Sequence, residues 1–409
     1  MRIATMALLF VASAASAHNA SLENFQTKPI LADLKDLRAL NIPVLAQDEE
    51  SEVGYAVITP QMQQKIQERA HKVGKCGGFE DLSSQVSVLS VDYKSILAPF
   101  AVMKARNDLY EKAPFKAVAL QQRADILTAI DEVKEDNLRS YVTWLSSFPN
   151  RFNKGSTPNV HVEEMKTRLE AMLANSSLPW EVTLISHRNT PQKSIRVRLT
   201  GKDRPNEIVV LGGHLDSINQ SWGGSGNAAP GADDNASGSA NLIEALRILM
   251  DQPQAQRSIE FMWYAGEESG LLGSAEIAAQ YKADRKDVVA VLQLDMTLFP
   301  GSGELVIGSM TDFTSAWLRD YVRAANDTYL HAKVVDDKCG YGCSDHASWY
   351  KNGYPAVMPF EATFKQSNQN IHTVKDVISP ASNFKHSAVY SKLAVVMGMD
   401  LANSTARQP

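Results

Sequence analysis

Three short apolar runs each end in side chains able to bind a metal or move a proton. Residues 208–211 (Ile-Val-Val-Leu) lead into Gly212-Gly213-His214-Leu215-Asp216. Residues 259–264 lead into Ala265-Gly266-Glu267-Glu268, and residues 288–294 run directly into Asp295. Two further segments add the same kinds of group, the turn Gly231-Ala232-Asp233-Asp234-Asn235 and the histidine of Ile371-His372-Thr373. An Asp or Asn ahead of a helix commonly serves as its N-cap, but one cap does not account for the whole set. His214, Asp234, Glu268, Asp295 and His372 make a nitrogen–oxygen donor set without cysteine. Such a set suits zinc with an open position rather than a closed structural site. Five donors exceed the three of a single catalytic zinc and fit two Zn2+ ions sharing one carboxylate, a pair that activates water near neutral pH. Glu267 is then the spare carboxylate beside the site, placed to take a proton from that water and return it to a leaving group.

Competing chemistries fail on their signatures. None of the nine histidines begins H-E-x-x-H, and no serine is flanked as G-x-S-x-G. Neither a Walker A loop nor a G-x-G-x-x-G is present, and the glycine run at 223–226 reads as a loop.

The elements that must carry these residues are short β-rich strands alternating with helices. Strands are predicted at 194–199, 208–211, 259–264 and 288–294, then near Leu305 and Ala356. Helical spacing marks 126–147, 165–174, 240–250, 274–281, 314–329 and 383–401. This alternation predicts an α/β fold, a mostly parallel central sheet flanked by helices. In such sheets ligands bind beyond the carboxyl ends of the strands, where these three runs deliver His, Glu and Asp.

Ahead of that domain, residues 1–17 read as a signal peptide. Arg2 precedes an apolar stretch over 3–15, and Ala15-Ser16-Ala17 fits the cleavage rule. The stretch is too short to span a bilayer, so export without a membrane anchor is expected, into an extracellular or periplasmic space that permits disulfides. Residues 18–115 are polar, carry no chemistry-bearing cluster and show helical patches such as 60–75. They read either as a pro-segment or as a small helical accessory domain, with the catalytic domain at 116–409. The 409 residues contain 44% hydrophobic and 21% charged residues, a globular composition that excludes a disordered or multi-span chain. A net charge of −5 gives no reason to expect a nucleic-acid partner. Three cysteines leave at least one unpaired within the chain.

The segments 212–217, 230–238, 267–268, 292–297, 339–349 and that around His372 resemble secreted leucyl aminopeptidases of the di-zinc aminopeptidase Y and bacterial leucyl type. The resemblance covers roughly 124–399. It implies that His214 and Asp295 serve one zinc, Glu268 and His372 the other, with Asp234 as the bridge and Glu267 as the general base. It further implies that Asp216 orients the ligating histidine, that Cys339 and Cys343 pair, and that Tyr341 faces the developing oxyanion. Met296, Met358, Phe360, Phe364 and Ile371 correspond to the pocket for an apolar N-terminal side chain. Pairing of Cys339 with Cys343 would leave Cys76, inside the 18–115 region, as the odd thiol. The expectation is a secreted, monomeric zinc aminopeptidase acting on peptide or protein N-termini after an activating protease removes the pro-segment. Two alternatives stand beside it: a related-fold carboxypeptidase or glutaminyl cyclase, and a non-catalytic peptide-binding ectodomain.

Overall fold

The computed structural model describes residues 27–49, 52–72, 78–83, 93–112, 120–220 and 226–406. The leader expected at 1–17, Cys76 and residues 223–225 lie outside them. The first unit contains β1 (Lys28–Asp33), α1 (Leu34–Ala39), β2 (Ala46–Asp48), β3 (Val53–Ile58), α2 (Pro60–Lys72), β4 (Phe79–Asp81) and α3 (Tyr93–Lys112). Its strands form an antiparallel sheet in the order β2-β3-β1-β4. This corrects the expectation of a helical accessory region. The strands are three to six residues long. β1 and β3 are buried on both faces, so the polar–apolar alternation that reveals a half-exposed strand is missing.

The second unit begins with α4 (Ala124–Asp131), α5 (Glu135–Ser146) and α6 (Val160–Leu173). The helical spacing over 126–147 thus belongs to two helices. The break follows from Glu244, whose buried carboxylate accepts the Lys134 N–H at 2.9 Å and so starts α5 afresh. Leu138, Val142 and Leu145, spaced for one helical face, then bury against the core.

The remaining elements are β5 (Trp180–Ile185), β6 (Ser194–Leu199), β7 (Arg204–His214), α7 (Ala236–Leu249), β8 (Arg257–Tyr264), α8 (Leu272–Ala283) and β9 (Asp287–Gln293). Then follow β10 (Val306–Met310), α9 (Ala316–Ala325), β11 (Lys333–Asp337), α10 (His346–Lys351), β12 (Ala356–Val357), β13 (Pro359–Phe360) and α11 (Phe384–Asp400). A π-helical turn, Asn326–Leu330, extends α9. The central sheet runs β12-β9-β7-β8-β6-β5. Its first three pairings are parallel and the last two antiparallel, so the sheet is mixed, with a parallel half that carries the chemistry. Register aligns the strand ends: His214 lies opposite Tyr264, and Gly212 opposite Gln293. The residues that follow β7, β8 and β9 therefore emerge side by side at one edge. A smaller sheet, β11-β10-β13, stands next to it.

Helix α7 is buried along nearly its whole length, packed with α11 and the sheet. It approaches β9 closely at Gly238, where a Cβ would stand 2.3 Å from the Leu294 carbonyl oxygen. Only glycine fits there, which brings the turn before α7 against the end of β9. No described helix is long and apolar enough to cross a membrane.

Candidate metal centre

The end of β7 delivers His214 into a fully buried position. Its Nε2 lies 3.0 Å from Asp234 Oδ1 and 3.3 Å from Asp295 Oδ1. Asp234 turns its other oxygen to His372, whose Nε2 lies 2.9 Å from Asp234 Oδ2 and 3.0 Å from Glu268 Oε2. Two triads result, His214–Asp234–Asp295 and Asp234–Glu268–His372, with donor atoms in each lying within 4.8 Å of one another. Asp234 is common to both. Its neighbour Asp233 is excluded from the centre by its own bonds: Oδ1 accepts the Leu298 N–H at 3.0 Å, and Oδ2 accepts from Asn368 Nδ2 at 3.0 Å.

Behind His214, Nδ1 donates to the Asp216 carbonyl oxygen at 3.1 Å, with Asp216 Oδ1 at 3.6 Å. That bond leaves Nε2 facing the carboxylates, the arrangement a metal-bound imidazole needs. Asp216 has a second task. Its Oδ1 accepts the Glu267 N–H at 2.9 Å and its Oδ2 the Glu268 N–H at 3.3 Å. The two preceding amides are also taken by side chains, Ala265 N–H by Ser194 Oγ at 2.9 Å and Gly266 N–H by Gln192 Oε1 at 3.1 Å. Four consecutive amides of the turn are therefore fixed from outside it. Gly266, at φ 65°, supplies the left-handed step that reverses the chain after β8.

Asn235 caps α7, its Oδ1 accepting the Gly238 N–H at 2.9 Å and the Met296 N–H at 3.2 Å. The peptide bond between Asp234 and Asn235 is cis. Met296 and His372 have φ of 56° and 58°, a left-handed conformation that few non-glycine residues adopt.

The electrostatics point to cations. Asp216, Asp234, Glu267, Glu268 and Asp295 are all buried around two imidazoles. Burial works against a charged imidazole, yet the carboxylates of Asp295, Asp216 and Asp234 outweigh it and raise the His214 pKa well above its ordinary value. His372 is likewise pushed up to about 10 by Glu268 and Asp234 against the effect of burial. Burial drives Glu267 well above the usual carboxyl range, with the Glu268 and Asp295 charges adding to it. Glu267 Oε2, Glu268 Oε1 and Asp295 Oδ2 are buried without a hydrogen-bond partner. Buried carboxylate oxygens of this kind require a cation or a proton. The donor set, two imidazoles with Asp234, Asp295 and Glu268, fits divalent zinc.

Residues that the sequence reading did not single out hold this centre in place. Asp376 accepts the Asp233 and Asp234 N–H groups, each at 3.0 Å. Arg151, only 1% exposed, directs its guanidinium at four carbonyl oxygens, those of Leu145, Leu215, Pro230 and Gly231. It thereby ties the loop after β7 to the turn before α7. The only signal for Asp376 was its place four residues after His372, and a lone Arg in an unstructured stretch carries none.

Beside the triads an apolar cluster joins Met296, Met358, Phe360, Ile371 and Tyr341, with Phe364 packed against it. Met310 at the end of β10 belongs to the same cluster, an addition to the expected pocket. Met296 follows Asp295 and Ile371 precedes His372, so pocket and centre share their backbone. The Cys339–Cys343 disulfide is formed, and the Tyr341 ring between them packs edge-on to Phe364 at 6.5 Å.

Comparison with known proteins agrees with this geometry. Residues 194–396 match the model of peptidase family M28. A probable leucine aminopeptidase of Arthroderma otae is 39% identical over 291 residues, 69% of this chain and 78% of that protein. Leucine aminopeptidase 1 of Trichophyton equinum is 38% identical over 294 residues, 69% of this chain and 78% of that one. The crystal structure of Legionella pneumophila LapA aminopeptidase superposes with a TM-score of 0.77 at 27% identity, covering 93% of this chain and 99% of that one. With identity of this order over three quarters of the relatives' length, and with the two triads built, the chain belongs to peptidase family M28 and is a metallo-exopeptidase.

Proposed function

We propose that this protein is a secreted aminopeptidase that removes apolar, leucine-like residues from the N-termini of peptides. The observation that carries the reading is Asp234, whose two oxygens face His214 and His372 at 3.0 and 2.9 Å. Two zinc ions would be held by His214 and Asp295 on one side and Glu268 and His372 on the other, with Asp234 shared; when bound, they supply the Lewis acidity that makes a water nucleophilic near neutral pH.

Glu267 is the general base. Its Oε2 takes the proton of the attacking water and delivers it to the departing amine. Burial favours this assignment, because a carboxyl group with a raised proton affinity serves both transfers. Tyr341 donates from its hydroxyl to the carbonyl oxygen as charge develops there. The Cys339–Cys343 closure restrains the loop that carries it. Met296, Met310, Met358, Phe360, Phe364 and Ile371 receive the N-terminal side chain and exclude water from it.

Export through the leader at 1–17 suits the disulfide, which forms in oxidising compartments. The chain supplies every expected ligand itself, in keeping with a monomer. Processing by another protease between the N-terminal and catalytic units completes the reading. The direct test is turnover of leucine p-nitroanilide by the purified protein with its zinc content measured, alongside C-terminal and N-terminal-glutamine substrates. Leucine release that is lost to a chelator and restored by zinc supports the proposal. Zinc-loaded protein that releases no N-terminal residue overturns it.

A further inference from the structure

Between β5 and β6 the chain carries side chains that lead, one to the next, onto the backbone of the turn bearing Glu267 and Glu268. His187 begins the series, its side chain fully enclosed. Its Nε2 meets Ser194 Oγ at 2.7 Å, and its Nδ1 lies 3.6 Å from Glu276 Oε2 on α8. Glu276 also accepts the Arg188 N–H at 3.0 Å, which keeps α8 against this segment. Ser194, completely buried, accepts the Ala265 N–H at 2.9 Å. Glutamate, histidine and serine in this order have the connectivity of a hydrolase triad. Here the hydroxyl is shut away from any substrate and meets a main-chain amide instead.

A serine hydroxyl has one proton to donate and two lone pairs with which to accept. Among the described residues Ser194 Oγ has two partners, the Ala265 N–H, which can only donate, and His187 Nε2. The hydroxyl proton therefore goes to Nε2, and the ring carries its own proton on Nδ1, towards the Glu276 carboxylate. Burial lowers the His187 pKa against the pull of Glu276, which keeps the ring neutral and Nε2 able to accept. The surroundings leave the hydroxyl little room. A Cβ at Gly273 would stand 2.8 Å from Ser194 Oγ and 2.6 Å from the Ala265 carbonyl oxygen, an approach that only glycine allows. The Gly273 N–H donates to that carbonyl at 2.9 Å. Ala265 is thus held at both its N–H and its C=O, two residues before Glu267.

We propose that His187 is a positioning residue for the reaction: by accepting the Ser194 hydroxyl proton at Nε2 it aims the Ser194 oxygen at the Ala265 amide, and so sets the turn that places Glu267. The proposal rests on the assignment of Glu267 as general base. Without an acceptor at Nε2 the buried hydroxyl must turn to find another, and the Ala265 amide loses its partner. Glu267 and Glu268 stay tied to Asp216 through their own amides, so the metal donors should hold while the base drifts. A displacement of about 1 Å is enough to cost ~10²-fold in rate.

The first test uses the unaltered protein. Nitrogen-15 spectra of its labelled imidazoles near neutral pH, with the His187 signals identified by their absence from His187→Gln, should show the proton on Nδ1. A proton on Nε2 overturns the proposal. The second test compares variants. His187→Leu should lower kcat on leucine p-nitroanilide by about 10–100-fold, with KM and zinc content little changed, and should speed hydrogen exchange at the Ala265 amide. His187→Gln, whose Oε1 offers an acceptor near the Nε2 position, should restore most of the turnover and the protection. Ser194→Ala should match His187→Leu, and the two together should be no worse than either alone, as for groups acting through one contact. A His187→Leu protein that melts lower but keeps its kcat overturns the proposal, as do losses that multiply in the double variant. The imidazole spectra and the amide exchange do not depend on turnover, so a failure of the aminopeptidase reading would be seen separately.

Discussion

Asp376 grips Asp234 by its main chain. Its Oδ2 accepts the Asp234 N–H at 3.0 Å, while His372, four residues earlier in the same loop, reaches Asp234 Oδ2 at 2.9 Å. One loop thus holds both the backbone and the side chain of the shared carboxylate. Replacing Asp376 by Asn puts an NH2 group, which cannot accept, in place of one oxygen. Asp376→Asn is expected to weaken zinc binding by about 10–100-fold, the usual cost of losing a group that orients a ligand. Competition with a chromogenic chelator measures this, and wild-type affinity would show the loop holds Asp234 without it.

Glu267 and Glu268 are adjacent but should fail differently. Glu267→Gln keeps the donor set and removes the proton carrier, so kcat should fall by about 10²–10⁴-fold with zinc content unchanged. Glu268→Gln should instead lose metal. Zinc analysis beside steady-state kinetics on leucine p-nitroanilide separates the two; equal zinc loss in both would refute the division of labour.

Opening the Cys339–Cys343 disulfide should cost activity more than stability. The two cysteines are four residues apart, so closing that loop removes little chain entropy, on the order of 2 kcal/mol. The loop nevertheless carries Tyr341 and borders the apolar pocket. A Cys339→Ser/Cys343→Ser double variant is expected to melt only a few degrees lower, about 2–4 °C for a chain of this size. Its kcat should fall at least as far as that of Tyr341→Phe.

Buried histidines should make the fold acid-sensitive. Burial, then the Arg151 charge, lowers the His161 pKa to about 3, and burial lowers that of His346 to about 3. His161 Nε2 lies 3.0 Å from Gln192 Nε2, which donates to it; the same side chain's Oε1 takes the Gly266 N–H. Unfolded, each histidine binds a proton near pH 6.5. Above that pH both states are neutral and the group has no effect. As pH falls from about 6.5 towards 3, the unfolded state alone is protonated, so stability drops by about 1.4 kcal/mol per unit for each group. Urea unfolding at pH 7.5 and pH 5 tests this. His161→Gln, which keeps a side-chain acceptor, should shallow the decline by one group's share.

The chemistry was legible because it sits at strand ends. A parallel sheet aligns its carboxyl ends by register, so apolar runs ending in His214, in Glu267-Glu268 and in Asp295 imply a meeting point without coordinates. The β-rich runs located β6, β7, β8 and β9 of the catalytic sheet, and helical periodicity placed α6, α7, α8, α9 and α11. What stayed hidden was held by geometry rather than by pattern. In the first sheet β2 and β4 are only three residues long, and β1 and β3 are too evenly buried to alternate. The grip of Gln192, Ser194, Arg151 and Asp376 on the centre comes from polar side chains in loops and at the start of β6, bonded to amides and carbonyls that any sequence would offer. Residue type and order determined which groups can bind zinc and move a proton. Only the tertiary structure decided which amides hold them still, and that the N-terminal unit shares its core with the catalytic one, because hydrogen bonds to the main chain and packing between distant segments leave no periodic trace in one dimension.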